Sequence, residues 1–357
     1  MRDCDLLVVG LGPAGSRAAT EAARAGFQVI ALERKKTVGI PVQCAEFIPL
    51  PVSGYAKSGA RAQPVSAMST FLPSGTKAAR GFGGLMIRRD KFDQALAKEA
   101  EAAGAVLWTD TSLRAIDPVA HVAQASTATG LRDIRYKLMV AADGPLSQAA
   151  ACLDLPRLRV VTTRQYTVPL LQPHDDTDIW LSPAYPGGYA WLFPKGKVAN
   201  LGLGIDPRFE TDLKAPLDAL HATLVKAGRV GDEVLLRTGG PIPVGGMRER
   251  LVVGETLFAG DAAGFTHPVS GAGIAQAVAS GERAGRAAAA WFAGDADALR
   301  DYEDEMREQY EASLERGLAA RRRMEAAWRA RSAEDGAHRG GWIAFDEYYA
   351  AGNGGAR

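Results

Sequence analysis

Residues 5–9 run from Asp5 through four apolar positions, and glycines stand at 10, 12 and 15 directly after them. An unbroken short apolar run of this kind reads as a buried strand. From Ser16 to Ala25 alanines alternate with polar residues in a helical pattern, which Gly26 ends, and residues 27–32 form a second apolar run closing at Glu33. Further on, a helical stretch at 94–103 leads into a strand at 106–108. Strands are also read at 138–142 and 257–259, and a long alanine-rich helix begins near Ile274. Alternation of strands and helices predicts an α/β fold with a Rossmann-like core.

The pattern changes between residues 159 and 245. Short runs of β-branched and aromatic residues, at 160–169, 179–181, 189–193 and 198–205, are broken by Pro and Gly, with one helix at 217–227. Together with 69–79 they predict an antiparallel sheet inserted into the α/β core. Alternation along 189–193 places Tyr189, Trp191 and Phe193 on one face of that sheet. Tyr302, Met306, Tyr310, Leu314 and Leu318 then recur at four-residue spacing, predicting a long amphipathic helix over 301–331. Its basic stretch, Arg321, Arg322, Arg323, Arg329 and Arg331, reads as a solvated face, with attachment to anionic lipid as the alternative. Trp342, Phe345, Tyr348 and Tyr349 give the tail an aromatic density that calls for docking, against the protein itself or against a partner. The expected domains are residues 1–68, 80–158 and 246–295 for the α/β core, 69–79 and 159–245 for the inserted sheet, and 296–357 for a helical C-terminal region with its tail.

Composition narrows the class. The 357 residues carry a net charge of +1, so no global field draws the chain to nucleic acid. Cys4, Cys44 and Cys152 have no CxxC spacing and no histidine cluster beside them, which argues for reduced thiols in the cytoplasm and against a metal site. No run of eighteen apolar residues occurs, so a spanning helix is not expected, while peripheral contact with the inner face of a membrane stays open. Charged residues at 3, 5, 17, 21 and 24 set the N-terminus apart from a signal peptide.

The glycine pattern carries chemistry. Gly10, Gly12 and Gly15, between a strand and a helix, form a dinucleotide fingerprint. Gly10 permits the tight turn, Gly12 lets backbone approach a pyrophosphate, and Gly15 lets helix and strand pack. Pro13 and Ala14 open the helix whose N-terminus faces the phosphates. Glu33, eighteen residues past Gly15, is placed for ribose hydroxyls, with Arg34 beside it. Gly202 and Gly204 lack a third glycine and a following helix, so no second dinucleotide unit is present. Electrons would come from NAD(P)H bound transiently, or from another external donor.

Three segments, 86–93, 138–147 and 257–274, resemble in order and spacing the flavoprotein superfamily that includes para-hydroxybenzoate hydroxylase and the geranylgeranyl reductases. The resemblance runs from residue 5 to about residue 290. It implies FAD as cofactor, with Asp261 on the ribityl chain, Gly271, Gly273 and Ile274 beside the isoalloxazine, and Arg89 near the pyrophosphate or ribose. Residues 187–196 are similar to the Tyr-x-Trp-x-Phe-Pro-Lys signature of geranylgeranyl reductases, which implies Tyr189, Trp191 and Phe193 as the wall of an apolar pocket. Residues 39–46 resemble the reductases' loop whose cysteine lies beside the flavin, which makes Cys44 both a cofactor neighbour and the candidate acid. A thiol is mostly protonated at neutral pH and can give a proton to one carbon of a C=C bond. The chain departs from the superfamily at Asp143 and Gly144, where Ala149 and Ala150 stand in place of a downstream arginine, and at His267, where reductases often show asparagine. The expected function is an FAD-dependent oxidoreductase reducing C=C bonds of an apolar small molecule of isoprenoid type. The alternatives are an FAD-dependent monooxygenase that uses NAD(P)H and O2 on a small molecule or a protein side chain, and a non-catalytic flavoprotein serving a protein partner.

Overall fold

In the computed structural model, which describes residues 1–350, the apolar runs assemble into a six-stranded sheet ordered 252–253, 256–258, 138–141, 6–9, 29–32 and 106–108. All neighbours are parallel except the antiparallel edge pair 252–253 and 256–258. Strands Leu6–Val9 and Leu138–Ala141 are buried along their whole length, as the centre of a parallel sheet covered on its faces must be. The helices Pro13–Arg24 and Ile274–Phe292 pack tightly together because small residues face each other. A Cβ added at Gly281 would stand 2.1 Å from the Ala14 carbonyl oxygen, and one at Gly285 would stand 2.5 Å from that of Ala18. This contact sets the long helix beside the first glycine turn.

A second, nine-stranded sheet runs 236–238, 160–169, 198–205, 190–195, 177–180, 61–71, 77–87 and 47–49, with 241–243 pairing separately to 160–169. The hairpin Arg61–Phe71 and Lys77–Ile87 extends well to either side of the 69–79 stretch. It joins the aromatic strands through one parallel pairing, 68–71 with 177–180. A third sheet, strands 112–117, 122–127 and 130–135 with Arg2–Asp3 at its edge, has no counterpart in the pattern reading.

The helix Ala298–Arg329 buries Tyr302, Met306 and Leu314 as its spacing requires, and the Tyr302 hydroxyl donates to the Phe258 carbonyl at 2.6 Å. Arg322, Arg323, Arg329 and Arg331 are exposed, but Arg321 is not part of a solvated face. It is 4% exposed and donates to the Pro268 carbonyl and to the fully buried Asp206, at 3.1 and 3.2 Å. Asp206 also accepts from Arg159 and Arg208, so a guanidinium cluster around one acid ties the helix to the inserted sheet. The helical period placed Arg321 among its basic neighbours, but the acid that draws it inward lies 115 residues away. Among the described residues no helix is long and apolar enough to cross a membrane, and no His, Cys, Asp and Glu side chains are grouped as a metal would need.

Candidate cofactor and substrate site

The three fingerprint glycines do different work. Gly10 has φ 96°, and a Cβ there would lie 2.5 Å from the Ala142 carbonyl oxygen. At Gly15 a Cβ would come within 1.8 Å of the Gly10 carbonyl, so this glycine closes the turn against the helix. Gly12 is unlike both: its φ is an ordinary −71°, and an added Cβ would meet nothing within 4 Å. Gly12 also precedes a helix that begins at Pro13 with no side-chain cap, which leaves the first-turn N–H groups open to a ligand. Glu33 is buried and braces this turn, accepting from the Leu11 amide at 3.0 Å and from the Lys35 amide at 2.9 Å.

These residues face a cavity of about 770 Å³ that extends between the two larger sheets. Gly10, Gly12, Pro13, Ala14, Glu33 and Arg34 line one part of it. Arg89, Asp261, Gly271, Gly273 and Ile274 line another, and Cys44, Tyr189, Trp191 and Phe193 border the part beside the inserted sheet. Gly15 alone of the sequence-assigned residues stands behind the lining. The aromatic residues do share a face: ring centroids are 5.8 Å apart for Tyr189 and Trp191 and 6.5 Å for Trp191 and Phe193.

The segment carrying Cys44 is held by the inserted sheet, one residue after another. Gln165 Nε2 donates to the Cys44 carbonyl at 3.1 Å, and the Trp191 indole in turn donates to Gln165 Oε1 at 3.1 Å. Asn200 Nδ2 donates to the Ala45 carbonyl at 3.2 Å and to Glu46 Oε2 at 2.8 Å. Lys195 Nζ donates to the same Glu46 oxygen, and the Arg89 amide donates to Glu46 Oε1 at 2.8 Å. Glu46 adopts φ 72°, a conformation a side chain rarely takes, and these bonds hold it there. Its own amide donates to Cys44 Sγ at 3.2 Å. Burial pushes the Cys44 thiol up, and the nearby Arg89 guanidinium only partly opposes this. The thiol is therefore protonated at neutral pH, as a proton donor must be. Arg89 is oriented by a two-point pairing with Asp93, at 3.0 Å for each bond.

Burial also raises Asp261, whose Oδ1 accepts from Thr266 Oγ1 at 2.6 Å. Asp143, at the end of the neighbouring strand, is raised by burial too. Its Oδ2 accepts from the Ala149 amide at 3.0 Å, while Oδ1 is buried without a partner. A buried carboxylate oxygen on a cavity wall calls for a donor from a ligand. An open cradle at Gly12, an uncapped helix and half-buried acids at two strand ends fit the pyrophosphate and hydroxyl-bearing chain of a flavin dinucleotide. His267 is packed: Nδ1 accepts from the Ser270 amide at 3.2 Å, Nε2 lies 3.2 Å from the Tyr348 hydroxyl, and burial lowers the ring to about 4. Sequence reading did not find Gln165, Asn200 or the Glu46–Lys195 pair. The available signal was Asn200, the one polar residue of the otherwise apolar and glycine strand 198–205.

Fold and site define an FAD-dependent oxidoreductase. Residues 160–240 match the family described as the geranylgeranyl reductase catalytic domain. A digeranylgeranylglycerophospholipid reductase of Thermoplasma acidophilum is 32% identical over 87% of this chain and 83% of its own length. The chain belongs to the geranylgeranyl reductase family. A crystal structure of a geranylgeranyl bacteriochlorophyll reductase-like protein from Thermoplasma acidophilum superposes with a TM-score of 0.82, at 26% identity, over 94% of this chain and 92% of that one. Aklavinone-11 hydroxylase, solved with FAD and aklavinone, shares the fold at a TM-score of 0.70 and 20% identity, over 92% of this chain and 71% of its own.

Proposed function

We propose that this enzyme saturates C=C bonds of an isoprenoid chain, with Cys44 as proton donor and the Tyr189–Trp191–Phe193 face as the wall along which the chain lies. The observation that carries the reading is the Cys44 segment, fixed to the inserted sheet by Gln165, Asn200 and Lys195 and facing the same cavity as the aromatic face. The name of the Thermoplasma acidophilum relative, a reductase of a lipid with two geranylgeranyl chains, agrees with it.

In this reading Gly12 and the helix beginning at Pro13 take the pyrophosphate of FAD, Glu33 the adenosine ribose, and Asp261 the ribityl hydroxyls. Arg89 lies on the phosphate side, and Gly271, Gly273 and Ile274 border the ring. When bound there and reduced, the flavin would supply the hydride for one carbon, with electrons from NAD(P)H or another external donor. Cys44 Sγ–H supplies the proton to the other carbon and recovers it from solvent.

The test is mass spectrometry of a geranylgeranyl glycerophospholipid incubated with dithionite-reduced protein, with and without air. Gain of hydrogen pairs under anaerobic conditions is the expected result. Oxygen incorporation in air, with no anaerobic change, would replace this reading with monooxygenation.

A further inference from the structure

We propose that Trp342, delivered by the C-terminal tail, is the end-stop that sets how long an apolar chain the cavity accepts. The inference rests on the isoprenoid reading above. The indole is 3% exposed, its Nε1 donates to Thr70 Oγ1 at 3.2 Å, and its ring centroid lies 4.7 Å from that of Tyr189 at an interplanar angle of 61°. The flanking tail is tied to the hairpin 61–87 at two further points. Asp335 accepts from the Ser74 amide at 3.0 Å, and Arg80 donates to the Ala344 carbonyl at 3.2 Å.

Trp342 lines the main cavity, and it also lines a separate void of about 20 Å³. Tyr189 lines both as well, so these two rings form the partition between them. Tyr189 belongs to the inserted sheet's own wall and is pinned through its hydroxyl to the Ser270 carbonyl. Trp342 alone is contributed from outside that wall.

On the main-cavity side lie Met68, Ile179 and Trp191. Around the small void stand Arg321, Trp328 and His338, and in each a buried nitrogen (Nε, Nε1 and Nε2) lacks a protein partner. A void of this size with such neighbours suits one water molecule. An apolar chain pushed into it would strip those nitrogens of solvent and return nothing. Trp342 thus closes the main cavity against a void too small for an isoprene unit, and the chain stops at the indole.

Trp342→Phe, Trp342→Leu and Trp342→Ala, prepared with FAD bound, are to be compared with the wild type on geranyl, farnesyl, geranylgeranyl and geranylfarnesyl diphosphates, reduced anaerobically with dithionite. Bound-flavin absorbance and the unfolding midpoint report folding, and Trp342→Leu carries the test where Trp342→Ala loses its flavin. The expected result is that Trp342→Phe keeps the wild-type ranking. The Leu and Ala variants raise kcat/KM for the longer chains relative to the shorter by about tenfold or more, the scale of one or more extra apolar groups accommodated. An unchanged ranking in folded Leu and Ala variants overturns the end-stop. So does an equal loss across all chain lengths, which would mark a purely structural role. Reduction of no chain by the wild type overturns the isoprenoid reading and this inference with it.

Discussion

At the scale of single residues, the glycine turn separates fold from cofactor. Replacing Gly12 by Ala introduces a methyl into open space at an ordinary φ, so the unfolding midpoint should barely move. The same methyl enters the space assigned to the pyrophosphate, and crowding of about 1–3 kcal/mol should weaken FAD binding tenfold to a hundredfold, read by flavin titration. Gly15→Ala should instead fail to fold, since its Cβ would overlap the Gly10 carbonyl oxygen. Fingerprint glycines were legible from sequence because their logic is local. Cys44 is a second case. Its thiol is raised by burial above the usual value of about 8.5, so single-turnover reduction by pre-reduced enzyme should hold steady past that pH. The rate should fall only as the thiol ionises at still higher pH. In Cys44→Ser that alkaline limb should vanish, with the rate lowered about 10²- to 10⁴-fold and flavin retained. A preserved limb in Cys44→Ser would remove the thiol from the mechanism.

Elements meet in this molecule through a few charged or amide groups whose partners lie far away in sequence. Strands 160–169 and 198–205 could be bounded closely from Pro and Gly punctuation and from their alternation. That Gln165 and Asn200 reach back to the Cys44 loop could not be read, since those contacts span 121 and 155 residues. The strands at 112–135 escaped notice because their alternation is short and half-exposed, which gives a weak signal. Lys195 illustrates the energetic consequence. It is the cation facing the buried Glu46, so Lys195→Met leaves that carboxylate with only the Asn200 amide and the Arg89 backbone. The variant should lose roughly 3 kcal/mol of stability, measured as a lowered urea midpoint. An unchanged midpoint would mean that the two remaining donors suffice.

For the whole molecule, the aromatic sheet is not an independent unit. Residues 160–240 carry the family match, yet strand 177–180 pairs with 68–71, and the sheet's inward polar residues bond to the Cys44 loop. A fragment of residues 160–240 expressed alone should therefore show no cooperative thermal transition by circular dichroism, because it exposes one unpaired strand edge and several unpartnered polar groups. A sharp transition would show that the sheet folds without its neighbours. The tail's aromatic density pointed to docking, but its seat at Thr70, 272 residues earlier, lay beyond any local pattern. The central sheet has a further consequence for how the chain comes into being. Strand 6–9 leaves the ribosome long before strand 256–258 and the helix that clasps Ala14 and Ala18. The glycine turn waits, uncovered, until those segments emerge, and the enzyme can capture its flavin only after they have done so.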